Sequence, residues 1–137
     1  MKKAVIVVGT HHAGKSKTIN KYFKGKIGLS EKERKFSVGD NKGHILSQSL
    51  EEKYGIINSQ SLEEKGLVEV TTTVEKYKNY EQLIFAARPE NEKLSYYKDL
   101  KKQLEKRGFV VETVEIIRDQ KESYYKEKAE EIYKKLV

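Results

Sequence analysis

The chain has no cysteine, which excludes a disulfide scaffold, a thiolate metal site and a cysteine nucleophile, and gives no sign of an oxidising compartment. It has one proline, Pro89, and no long hydrophobic run. The run nearest the N-terminus, Ala4 to Val8, falls far short of the roughly 20 residues a membrane span needs, and no small-residue cleavage site follows it. A cytoplasmic protein without a membrane partner is expected. Apolar residues make up 36% of the chain, no more than the charged ones, and the mean hydropathy is -0.78. They nevertheless fall in separated clusters that can each build a strand or helix face, which argues against wholesale disorder. A length of 137 residues suits one domain, 1–137, around one core.

The formal charge of +7 is unevenly placed. Residues 1–42 carry 11 basic and 3 acidic side chains, whereas residues 43–137 carry 17 basic and 18 acidic ones. The whole excess belongs to the first third, where a positive field concentrates anions such as nucleotides, another anionic substrate or nucleic acid.

The pattern of apolar residues predicts alternating strands and helices. Lys3 to Val8 is a short β-branched run suited to a strand buried on both faces, and it ends at Gly9. From Lys15 onward, Ile19, Tyr22 and Phe23 occupy one helical face, with Gly25 as the expected C-cap. Phe36 to Val38 and His44 to Ser47 flank a Gly/Asp/Asn turn and read as a β-hairpin. Thr72 with Glu75 makes a capping-box pattern, and Val70, Val74 and Tyr77 repeat at helical spacing in a short helix ending near Asn79. Leu83 to Ala87 is a second buried strand, stopped by Arg88-Pro89. Leu94, Tyr97, Leu100 and Leu104 line a helix closed by Gly108, and Phe109 to Ile117 reads as a strand nearer the sheet edge. Tyr125, Ala129, Ile132 and Leu136 line a last helix, with Asp119 or Ser123 as its cap. The expected fold is α/β, a three-layer sandwich with a mainly parallel sheet flanked by helices, plus the short hairpin. The segment Ser47 to Lys53 recurs letter for letter at Ser59 to Lys65, a tandem duplication too short for a solenoid, in which Ser49 and Ser61 fit as helix caps.

Chemistry concentrates directly after the first strand. Gly9-Thr10-His11-His12-Ala13-Gly14-Lys15-Ser16 satisfies G-x-x-x-x-G-K-[ST], the phosphate-binding loop pattern, in the required context of strand before and helix after. The glycines permit a tight loop whose backbone N–H groups converge on an anion, and the following helix adds its positive N-terminal end. Lys15 is expected to face the β- and γ-phosphates rather than to support the fold, and Ser16 to offer its hydroxyl to Mg²⁺. Lys17 completes the expected nucleotide contacts. Adjacent His11 and His12 lack the i, i+4 spacing of a helical metal site, and their rings are expected to project outward.

On these residues the chain resembles the P-loop NTPase superfamily, and its size and alternation are closer to compact nucleotide-kinase-type members than to motor ATPases. The specific resemblance covers residues 3–24. It implies ATP or GTP bound at the carboxyl ends of parallel strands and Mg²⁺-dependent phosphoryl transfer, with hydrolysis favoured because no lid insertion fits in 137 residues. Arg34 is the best lid-like arginine. The family's acid at the end of a hydrophobic strand beside the first has no counterpart, since Leu83 to Ala87 ends in Arg88. Arg88 then fits an arginine-finger role, and Glu51, with Asp40 and Glu52 as alternatives, is expected to replace the acid, with Gln48 positioning water. The alternatives are a small kinase, a nucleotide-binding regulator that does not turn over, and a basic nucleic-acid-binding module.

Overall fold

In the computed structural model, residues 2–10, 13–38, 41–47, 60–91 and 95–137 are described. Five strands form one sheet: β1 (Lys2–Val8), β2 (Lys35–Val38), β3 (Asn41–Leu46), β4 (Gln82–Ala87) and β5 (Phe109–Glu115). Among the described residues four helices accompany them. The first, α1, is a π-helical stretch (Lys17–Phe23) continued by a short α-helical turn (Lys24–Lys26), and α2 (Gln60–Tyr77), α3 (Tyr97–Lys106) and α4 (Glu122–Leu136) follow.

The strand order is β2-β3-β4-β1-β5. β1 lies parallel to both β4 and β5, and β3 is parallel to β4. Only β2 runs antiparallel, against β3, so the expected hairpin adds one reversed edge to a parallel sheet. The continuous apolar runs of β1 and β4 are explained by their position, since both are paired on two sides.

Successive strand residues divide between two apolar clusters, as the period-2 geometry requires. Val5, Val7, Ile45, Ile84, Ala86 and Val114 join Ile19 and Phe23 of α1 and Tyr125, Ala129, Ile132 and Leu136 of α4. Ala4, Ile6, Val8, Leu83, Phe85 and Ala87 join Val70 and Val74 of α2 and Leu100 and Leu104 of α3. Among the described residues no helix is long and apolar enough to cross a membrane.

The structure corrects three boundaries. α1 runs past Gly25, and its left-handed C-cap is Gly28 at φ +78°, where the Leu29 N–H reaches the Lys24 carbonyl at 2.8 Å and the Gly28 N–H the Gly25 carbonyl at 3.3 Å. The extra turn seats Ile27 and Leu29 against the first cluster. α2 starts at Gln60, so Thr72 lies well within the helix and does not cap it, while Ser49 lies outside the described residues. α4 is preceded by Lys121 without a side-chain cap bond. The turn before it is fastened instead by two tyrosines: the Tyr124 hydroxyl accepts the Ile117 N–H at 2.9 Å, and the Tyr125 hydroxyl donates to the Ile117 carbonyl at 3.3 Å. Asp119 sits in that turn at φ +61°, a conformation its short polar side chain tolerates. Leu94 also lies outside the described residues.

Candidate functional site

The loop from Gly9 to Ser16 leaves the carboxyl end of β1, the strand with a parallel partner on each side. The Gly9 N–H extends the ladder to the Ala87 carbonyl at 3.1 Å, and the Ala13 N–H closes a turn onto the Thr10 carbonyl at 3.0 Å. Gly14 adopts φ +104°, which glycine alone enters without strain, and from there the Thr18 N–H bonds the Gly14 carbonyl at 2.9 Å as the helix begins. A Cβ on Gly9 would lie 2.9 Å from the Ala13 Cβ and 3.2 Å from the Lys15 Cγ. The loop is therefore tightly closed on itself. His11 and His12 lie outside the described residues.

Lys15 departs from the sequence expectation. Its side chain is buried, 5% exposed, and its Nζ donates to the Gly9 carbonyl at 2.5 Å. The ammonium is thus held within the loop, six residues from the carbonyl it meets, and takes part in keeping the loop's shape. Ser16 is exposed, and its Oγ accepts one hydrogen bond from Asn20 Nδ2 at 2.9 Å, leaving lone-pair capacity for a further partner. Lys17 turns away from the loop and pairs with Glu122 on α4. That pair holds the Glu122 carboxyl below its ordinary range, chiefly through the hydrogen bond from Lys17.

The neighbouring strand ends complete the site. β4 delivers Arg88 beside Gly9, since Val8 and Ala87 are register partners. The Arg88 carbonyl accepts the Ser95 hydroxyl at 2.9 Å, and the same hydroxyl accepts the Tyr97 N–H at 3.2 Å at the start of α3. The two loops diverge: that after β1 enters α1, whose side chains belong to the first cluster, while that after β4 enters α3, in the second. Adjacent parallel strands whose loops part in this way open a crevice at their carboxyl ends, the general ligand position of open α/β sheets. A crevice of about 480 Å³ lies there, bordered by Gly9 and Thr10, by Pro89 and Glu90, and by Glu115 and Ile116 of the β5 end. On its wall the Tyr97 hydroxyl and Thr113 Oγ1 are 2.6 Å apart.

Glu115 borders the crevice, and sequence reasoning did not single it out for the site. It is the register partner of Val8, one residue before the loop, and its carboxylate makes no ion pair among the described residues. Glu90, also on the crevice, pairs with Lys98 at 3.2 Å. Of the acids expected from the sequence, Asp40, Glu51 and Glu52 lie outside the described residues, as does Gln48. Arg34 precedes β2, which β3 and β4 separate from β1. The chain matches no protein-family model, no curated protein and no solved structure.

Proposed function

We propose that the chain binds the triphosphate of ATP or GTP in the loop 9–16 and hydrolyses its γ-phosphoryl group with Mg²⁺. One observation carries this reading: the only G-x-x-x-x-G-K-[ST] segment joins the carboxyl end of a central parallel strand to a helix start, with Gly14 in the left-handed conformation. The loop's backbone N–H groups would receive phosphate oxygens, and Lys15 would exchange the Gly9 carbonyl for them. Ser16 fits a metal ion through a single oxygen, and Mg²⁺ when bound would neutralise charge on the phosphates. Arg88, at the end of the neighbouring strand, fits a role opposite developing negative charge.

Hydrolysis needs a water whose oxygen attacks the γ-phosphorus as the bond to the β-phosphate oxygen breaks. A carboxylate orients that water and takes its proton, and the nucleoside diphosphate and inorganic phosphate leave. Glu51 and Glu115 are the two candidates for that carboxylate. Millimolar Mg·ATP and Mg·GTP should raise the melting temperature, and γ-labelled nucleotide should release free phosphate without an acceptor. Absence of stabilisation by either nucleotide rejects the reading. The end of β4 in Arg88 rather than an acid favours one second reading, a regulator that binds without turnover. Stabilisation with no phosphate release would select it.

A further inference from the structure

A second basic feature lies at the opposite edge of the sheet from β5. The chain between α1 and β3 forms an open groove of about 480 Å³ lined by Lys32, Glu33, Arg34, Lys35 and His44. The Arg34 carbonyl accepts the Ile45 N–H at 2.8 Å, so the backbone at the groove is fixed to β3. Some cations elsewhere pair with acids, Lys26 with Glu130, Lys135 with Glu112 and Arg107 with Glu75. Lys32, Arg34 and Lys35 make no ion pair among the described residues. Glu33 also lines the groove, its Oε1 accepting the Ser30 N–H at 3.3 Å, and its carboxylate offsets one of the three cations.

His44 belongs to the groove and is 7% exposed. Its ring stacks on Tyr77 with centroids 4.2 Å apart and meets Tyr80 edge-on at 5.3 Å. Its Nδ1 is buried and has no hydrogen-bond partner among the described residues. Cations gathered round one ring repel one another, and an anion in the groove offsets that repulsion. A fork-shaped guanidinium with two flanking ammonium groups and an imidazole matches tetrahedral phosphate oxygens.

We propose that the groove of Lys32, Arg34, Lys35 and His44 is a second anion site, for a phosphate group, independent of the loop 9–16 and separated from β1 by β3 and β4. The titration of His44 agrees with this geometry. Burial, then the charges of Arg34, Lys35 and Lys76, push its pKa down from 6.5 to about 4, so three cations converge on a neutral ring.

The test is a titration of the isotopically labelled full chain with inorganic phosphate at constant ionic strength, followed by nuclear magnetic resonance at the His44 ring, the Arg34 guanidinium and the amides of residues 9–16. Both groove signals should shift saturably, and the His44 titration midpoint should rise. A double variant, Arg34→Gln with Lys35→Gln, alters exposed side chains only and should weaken the groove response about tenfold or more. The loop amides of that variant should respond as in the parent, which separates this site from the nucleotide reading. A parallel titration with a single-stranded oligothymidylate distinguishes the source. Movement of the same signals at lower concentration, with steep loss of affinity in salt, assigns a phosphodiester, and movement with inorganic phosphate alone assigns a small phosphate ligand. Stationary groove signals with both probes, or equal responses in parent and double variant, overturn the proposal.

Discussion

The ring of Tyr125 occupies the space beside Gly14 that a side chain there would need: a Cβ on Gly14 would stand 2.6 Å from the Tyr125 Cε1. Helix α4 thereby closes over the loop that follows β1. Gly14→Ala should cost about 2 to 4 kcal/mol, combining left-handed strain with overpacking. Gly28→Ala, at φ +78° with no atom within 4 Å of the added carbon, should cost only about 1 kcal/mol. Urea denaturation of both variants checks the difference, and equal losses would show that Tyr125 does not constrain the loop.

Lys15→Ala should act twice. Nucleotide affinity should fall roughly 10- to 150-fold, as expected for one charge-assisted hydrogen bond of about 1.5 to 3 kcal/mol. Because the ammonium also holds the Gly9 carbonyl, the nucleotide-free protein should lose about 1 to 3 kcal/mol. Calorimetric binding and thermal melting without nucleotide read the two effects separately.

Glu115→Gln and Glu51→Gln should divide the catalytic question. The variant that removes the water-orienting carboxylate should lose about 100-fold or more in turnover while retaining nucleotide affinity. The other should stay near the parent. If both keep full turnover, neither carboxylate serves the water.

Stability should fall on acidification through His44. His44 titrates at about 4 in the folded protein against 6.5 when unfolded, so below 6.5 the unfolded chain binds the extra proton first. The loss should accumulate as the pH falls from 6.5 to about 4 and reach about 3 kcal/mol. Glu75, Glu122 and Glu130 are held below 4.5 by ion pairs, and their contributions are lost only under more acid conditions. Among the described residues, His44 is the histidine whose shift acts between pH 5 and 6.5. Denaturation across that window should depend less on pH in His44→Phe.

How much of this was legible in the sequence depends on where each signal resides. β1 and β4 were plain because a strand buried on both faces must be apolar throughout, and Ala4 to Val8 and Leu83 to Ala87 are. The α4 stripe was plain because Tyr125, Ala129, Ile132 and Leu136 repeat at the helical period and are buried. Thr72 misled because threonine caps helices through a local contact, whereas α2 continues straight through it with Val70 and Val74 in the core. The loop's residues were readable as a contiguous motif. The crevice was not, since Gly9, Glu90, Tyr97, Thr113 and Glu115 come from three strand ends and a helix. The inward turn of Lys15 was equally hidden, because its partner is a backbone carbonyl that every residue possesses.

The strand order carries a consequence for the order of events during folding. β1 comes first in the chain, yet its ladders are made only with residues 82–87 and 109–115. A nascent chain synthesised as far as the hairpin has neither neighbour for β1, and both edges of that apolar strand stay open. Such long-range parallel pairing is slow to form and exposes aggregation-prone edges while it waits. The loop that opens the sequence is among the last places to acquire its shape, because Tyr125 must arrive before Gly14 is enclosed. During synthesis, the closed shape of that loop therefore appears only when α4 has emerged, and until then the early strand is one that a chaperone would have reason to cover.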